Sequence, residues 1–291
     1  MNTSIRFPLD RLCPVLVALV LTGPGAATAN EATAGRKVDG ILDNSFLVEE
    51  AYNQEPGVVQ HILTALYQTH RHGGLDTHAW ELAFTQEWPL LSQTHQLSYT
   101  IPYRFVHGDG QSDNGLGDVL LNYRFQACFN ETTLRAFAPR FSLILPTGDE
   151  RRGFGEGTPG GQLNLPFSTA LGETAFLHLN VGTTFQPDAA SGNGRNLCHF
   201  NLGASGIYAL TRSCHLLIEW IGEWEESAGV HGTLRREFVS VISPGVRKAF
   251  NFDSGAQIVA GVAMPIGLTR SVPDYGVFLY LSIEHWFLRG K

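Results

Sequence analysis

A period-two alternation begins near Gly57 and is interrupted by connections that are alternately long and short, and this pattern constrains the fold more than any other feature. Between Thr174 and Phe185, Ala175, Leu177, Leu179, Val181 and Phe185 share one face, while His178, Asn180, Gly182 and Thr184 share the other. Residues 95–105 behave alike, with Leu97, Tyr99, Ile101, Tyr103 and Phe105 opposite Gln96, Ser98, Thr100 and Arg104. Successive side chains of a strand point to opposite faces, so each run predicts a strand with one apolar and one polar face. Twelve are predicted, near 57–67, 76–88, 94–106, 117–128, 133–146, 162–170, 174–186, 198–209, 214–224, 236–249, 255–266 and 275–287. Alternation alone fits a soluble sandwich as well as a barrel, and the connections decide between them. The odd ones are long and polar, as in HGDGQSDNG and TGDERRGFGEGTPGG; the even ones are tight, as in LGE, LTRS and NFDS. A membrane-spanning antiparallel barrel needs long extracellular loops and short periplasmic turns, whereas a sandwich has no reason to keep that alternation. The predicted fold is an all-β, transmembrane antiparallel up-and-down β-barrel of about twelve strands over residues 57–287.

The start of the chain is read separately. Arg6 and Arg11 precede an apolar run from Leu12 to Leu21, too short to span a bilayer as a helix, and Ala27-Thr28-Ala29 has the small-x-small pattern of a cleavage site. Residues 1–29 are therefore expected to be a cleaved signal peptide that exports the chain to the cell outer membrane. Residues 30–56 remain as a periplasmic lead-in or a plug, with the lead-in favoured. Ser45 to Gln54 lacks period two, and Pro56 would stop a short helix there. Rings expected at the two membrane interfaces are Trp80, Tyr103, Trp224 and Tyr275 at the outer ends of strands, and Trp88, Phe125, Phe129, Trp286 and Phe287 at the inner ends.

The formal charge of −7 speaks against nucleic acid as a partner. Cys128, Cys198 and Cys214 contain no CxxC pair and fit neither a disulfide scaffold nor a zinc site, so no role follows for them. Several motifs match a chemistry only in part. Gly155-x-Gly157-x-x-Gly160 has dinucleotide-fingerprint spacing, but Pro159 interrupts it and no helix is expected after it. His70, His72 and His78 read as a solvated loop, and Asp109, Asp113 and Asp118 lack the spacing of a calcium loop. No cofactor and no metal are expected.

Several further stretches resemble a family of bacterial outer-membrane proteins. These are DNSFLVEEAYNQEPGVVQHI at Asp43–Ile62, Gly115-Leu-Gly-Asp118 with Asn122-Tyr-Arg124, Pro139-Arg140 running into Leu145-Pro-Thr-Gly-Asp149, Asn164-Leu-Pro166, Ser243-Pro-Gly245 with Arg247, and Tyr280-Leu-Ser-Ile-Glu-His285. The family is the MetA-pathway of phenol degradation family, and the resemblance covers nearly all of the chain after residue 29. It implies an outer-membrane barrel with a transporter-like role.

Charges on strands carry the functional reading. A charge facing lipid costs roughly 2–4 kcal/mol at the midplane, so Glu81, Glu87, Arg104, Asp118, Arg124, Arg140, His178, Glu219, Glu223 and Glu284 are expected to point inward. Arg104, Arg124 and Arg140 come from consecutive strands and Glu219, Glu223 and Glu284 from the far side of the chain order, which would set a basic wall against an acidic one. Two outcomes are open. The walls could line a narrow polar channel for small organic, possibly aromatic, solutes, or their charges could meet in ion pairs that fill the lumen. A barrel enzyme of the lipid-hydrolase kind would need Ser and His together on the lipid face, and no such spacing is found; a purely structural barrel is a third possibility. The expected partners are outer-membrane lipid, an unidentified small solute and the barrel-assembly machinery.

Overall fold

The computed structural model describes residues 40–41, 45–72, 75–108, 111–228 and 233–287; the expected signal peptide lies outside them. Twelve antiparallel strands form one closed sheet. They are β1 (Val58–His72), β2 (Leu75–Leu90), β3 (Ser92–Gly108), β4 (Gln111–Leu116, Val119–Phe125 and Cys128–Asn130) and β5 (Arg135–Phe137 and Arg140–Leu145). Then follow β6 (Gly160–Asn164 and Phe167–Ala170), β7 (Ala175–Ala189), β8 (Arg195–Thr211), β9 (Cys214–Ala228), β10 (Leu234–Asn251), β11 (Gln257–Ala263 and Ile266–Gly267) and β12 (Tyr275–Trp286). Closure is made by β1 against β12, in register from Val58↔Trp286 to Thr69↔Tyr275. Every strand thus has two neighbours, as hydrocarbon requires of a spanning sheet.

The interruptions have local causes. Pro102 sits in β3, and opposite it the register with β4 slips by one residue, from Tyr103↔Leu116 to Thr100↔Leu120, at Gly117–Asp118. Pro139, Pro166 and Pro265 break β5, β6 and β11 because proline has no N–H to give the ladder. The wall nevertheless stays hydrogen-bonded at these points, through Ala138 N–H to the Pro166 carbonyl (3.2 Å) and Gly276 N–H to the Pro265 carbonyl (2.8 Å).

The outer connections are shorter than expected, because strand pairing runs into the polar segments: β1 reaches His72 and β2 begins at Leu75. Two stay close to their expected length: 268–274, between β11 and β12, and 146–159, between β5 and β6, which folds back against the wall of β4. Phe154 is buried there against Gly115, where a Cβ would stand 2.6 Å from its ring. Asp118 accepts hydrogen bonds from Gly148 N–H and Glu156 N–H, 2.9 Å each, and Arg152 pairs with Asp113. The glycine run at 155–160 serves this fold-back: a Cβ on Gly155 would collide with Asp118.

The predicted faces hold. Leu179, Val181 and Phe185 on β7 and Val277, Leu279 and Leu281 on β12 are exposed outward as a lipid-facing band, while Gln60, Gln96, Ser142, Ser168, Ser205 and Ser282 are fully or almost fully buried inside. The interior is not polar throughout. Phe46, Ile62, Ile207, Leu217, Val259, Phe278 and Tyr280 pack together on the β1 and β8–β12 side, so the expected polar lumen has one apolar flank.

Candidate functional site

The interior site is built around residues 45–55, which run inside the barrel and hydrogen-bond to both sides of its wall. Phe46 enters the apolar flank, its ring centroid 5.1 Å from Tyr280 and 5.6 Å from Phe278, and Gly261 leaves the space for it. From β9, the buried Glu219 carboxylate accepts the backbone N–H groups of Leu47 (3.0 Å) and Val48 (3.1 Å). Ser205 meets Ser45 at 3.0 Å, and Ser168 accepts the Ala51 N–H at 2.9 Å.

The opposite wall grips side chains and carbonyls. Arg124, on β4, donates to Asn53 Oδ1 (2.9 Å), the Glu50 carbonyl (3.0 Å) and the Tyr52 carbonyl (2.7 Å). It also lies 3.5 Å from Glu49 Oε1 and 3.7 Å from Glu87. Arg140, on β5, donates through Nε to Glu49 Oε1 at 2.7 Å, and its remaining nitrogens hold Asn122 (2.9 Å), Gln162 (3.0 Å) and Ser142. Lower down, Gln126 and Gln96 accept the N–H groups of Asn53 and Gln54.

The neighbouring carboxylates Glu49 and Glu50 go separate ways. Glu49 faces Arg124 and Arg140 at the edge of a cavity of about 280 Å³, bordered also by Thr64, Thr85 and Thr100. Glu50 lies 3.8 Å from His178 and 4.0 Å from Arg247, at the edge of a second cavity of about 190 Å³ lined by Tyr52, Phe129, Leu134 and Phe176. The second opens among the short turns, the periplasmic side for such a barrel, and the first lies on the other side of residues 45–55.

Five of the ten charges read from the alternation converge on this segment: Glu87, Arg124, Arg140, His178 and Glu219. Arg104 and Glu81 instead pair with each other at 3.7 Å, half-exposed. Asp118 holds the 146–159 loop. Glu223 is half-buried on the same face of β9 as Glu219, and Glu284 is buried between its register partners Gln60 and Gln257. The basic and acidic walls neither face each other across open space nor pair directly; residues 45–55 lie between them.

Missed by the charge criterion were Glu49 and Glu50, which lie outside any alternating run, His215, and the uncharged Gln96, Gln126, Ser168 and Ser205. Arg247 appeared only within a motif, although the alternation of β10 places it on the inner face with Ser243. Ser168, His178 and Glu50 follow the order of an acyl-transfer relay, with Ser168 Oγ 2.8 Å from His178 Nδ1. Glu50 stands beyond hydrogen-bond range of the ring, and Ser168 has no exposed surface and is already engaged by Ala51, so the group reads as a tie between wall and segment.

Among solved structures, the chain is similar to the COG4313 outer membrane channel from Pseudomonas putida F1, with a TM-score of 0.58 at 18% identity over 81% of this chain and 97% of that one. It is also similar to the translocator domain of the autotransporter NalP from Neisseria meningitidis, with a TM-score of 0.50 at 12% identity over 80% of this chain and 90% of that one. No family profile matches the chain. No curated protein matches it either. At these identities the likeness is one of fold, a closed twelve-stranded antiparallel β-barrel.

Proposed function

We propose that this protein is an outer-membrane channel for small organic solutes whose lumen is closed at rest by residues 45–55. The observation that carries this reading is the pair of cavities on opposite sides of one segment that, apart from its continuation into β1 at Val58, is held to the wall only by hydrogen bonds, ion pairs and packing. A segment held by hydrogen bonds and ion pairs exchanges its partners for water or solute at low net cost, since each such bond contributes only about 0.5–1.5 kcal/mol, more where a charge is involved. A barrel stiffened only for structure has no need of cavities on either side of the obstruction. Both lie below the roughly 300–1,000 Å³ of drug-sized sites, which sets the solute at about one ring or a short chain. The aromatic rings of the periplasmic cavity and the MetA-pathway motifs both favour an aromatic body. In this reading Glu49, Glu87, Arg124, Arg140, His178 and Glu219 hold the gate, Arg104 and Glu81 line the outer approach, and the chain lacks an enzymatic role.

Planar-bilayer recording tests it. The full-length chain is expected to show small, intermittent conductance, and deletion of residues 45–55 should raise it severalfold. A deletion variant that assembles and stays silent establishes the filled, structural lumen instead.

A further inference from the structure

Resting on that channel reading, we infer that the solute is a small organic monoanion, a carboxylate with an apolar body, and that Glu49 and Glu50 occupy in the closed state the two places its head group takes in turn. The receptor for the first place is part of the barrel. Arg140 is oriented by Asn122, Ser142 and Gln162, all on β4–β6, so its guanidinium keeps its position when Glu49 leaves. A charged donor fixed in advance binds its anion without an ordering cost. The resident carboxylate uses it incompletely: Glu49 Oε1 takes the Arg140 Nε–H, and Oε2 accepts no hydrogen bond among the described residues. An unattached carboxylate can turn to present both oxygens, the geometry in which arginine pairs best.

Charge fixes the valence. With Glu49 withdrawn, Arg124 and Arg140 face Glu87, and one positive charge is left over. A monoanion restores neutrality, a dianion overshoots and a cation is repelled. Glu49, once displaced, is left without its arginine in a confined space, a costly state that favours withdrawal of the whole segment. On the periplasmic side Arg247, with His215 at 3.5 Å and His178 beyond Glu50, provides the second basic station, and Tyr52, Phe129, Leu134 and Phe176 provide an apolar wall for the body of the solute. A neutral solute of the same shape has nothing to exchange with either glutamate.

Three probes of one frame separate the cases: benzoate, benzamide and benzylammonium, each added to the full-length channel in planar bilayers of fixed salt. Benzoate is expected to raise the open fraction severalfold in a saturable way, with little response to the other two. Glu49→Gln should raise the basal open fraction and lower the half-saturating benzoate concentration about tenfold, while Arg140→Gln should abolish the response. If Arg140→Gln does not assemble, Glu49→Gln carries the test, because an unchanged half-saturating concentration overturns the exchange. Equal responses to all three probes overturn the anion assignment and leave the channel standing. Silence of both wild type and Glu49→Gln under every probe overturns the channel reading and this one with it.

Discussion

The two sides of the lumen hold the same inserted segment by different chemistry. On the β9 side, Glu219 binds backbone N–H groups, which every residue but proline presents. On the β4–β5 side, Arg124 and Arg140 bind the Glu49 carboxylate, the Asn53 amide oxygen and two carbonyls. At Glu219 the wall fixes where the chain runs whatever the side chains of Leu47 and Val48; at Glu49 and Asn53 the opposite wall reads which side chains are present. A gate can keep its path constant on one wall and place its selectivity on the other.

The largest expected effect is at Arg124, whose side chain is 4% exposed. Arg124→Ala removes one partner of a buried ion pair and should release the segment at a cost of about 3–5 kcal/mol, read as faster hydrogen exchange at Ala51–Asn53 and a lowered unfolding midpoint. Unchanged exchange at those amides would show that the basic wall does not hold the segment.

Val48→Pro removes one N–H from Glu219 and leaves a buried carboxylate short of a donor, a loss of about 1–3 kcal/mol. Val48→Ala keeps that N–H and should retain most of the attachment, losing only the packing of Val48 over Gly203. The ratio of their exchange rates at Leu47 sharpens the comparison. Equal rates would mean that side chains matter on the β9 side as well, and the division between the two walls would fail.

The smallest effect belongs to Glu81→Gln. The Arg104–Glu81 pair is half-exposed on both partners and 3.7 Å apart, so its loss should cost under about 1 kcal/mol and leave the unfolding midpoint in place. A marked drop would mean that the outer rim is coupled to the gate.

The barrel itself was legible in the chain. Period-two alternation and unequal connections are local properties, and hydrocarbon leaves an antiparallel chain of such strands little choice but closure, so the twelve strands, the β1–β12 seam and the lipid-facing residues followed from residue order. Sequence order likewise placed Arg124 and Arg140 on one wall and Glu219 on the other. It did not reveal what stands between them, because residues 45–55 have no periodicity of their own and their conformation is set largely by groups far along the chain, from Gln93 through Glu219 and Arg247 to Tyr280. Taken alone, a polar stretch ending in proline reads as a periplasmic lead-in, since only the closed barrel brings Ser205, Ser168, Glu219, Arg124 and Arg140 to a distance where they can bind it. The apolar flank was hidden for a similar reason: Phe46 needs Gly261 beside it and Tyr280 and Phe278 against its ring, a packing distributed over three parts of the chain. Alternation along a strand is written residue by residue, but which groups meet across a lumen depends on closure and register, and these exist only in the assembled tertiary structure.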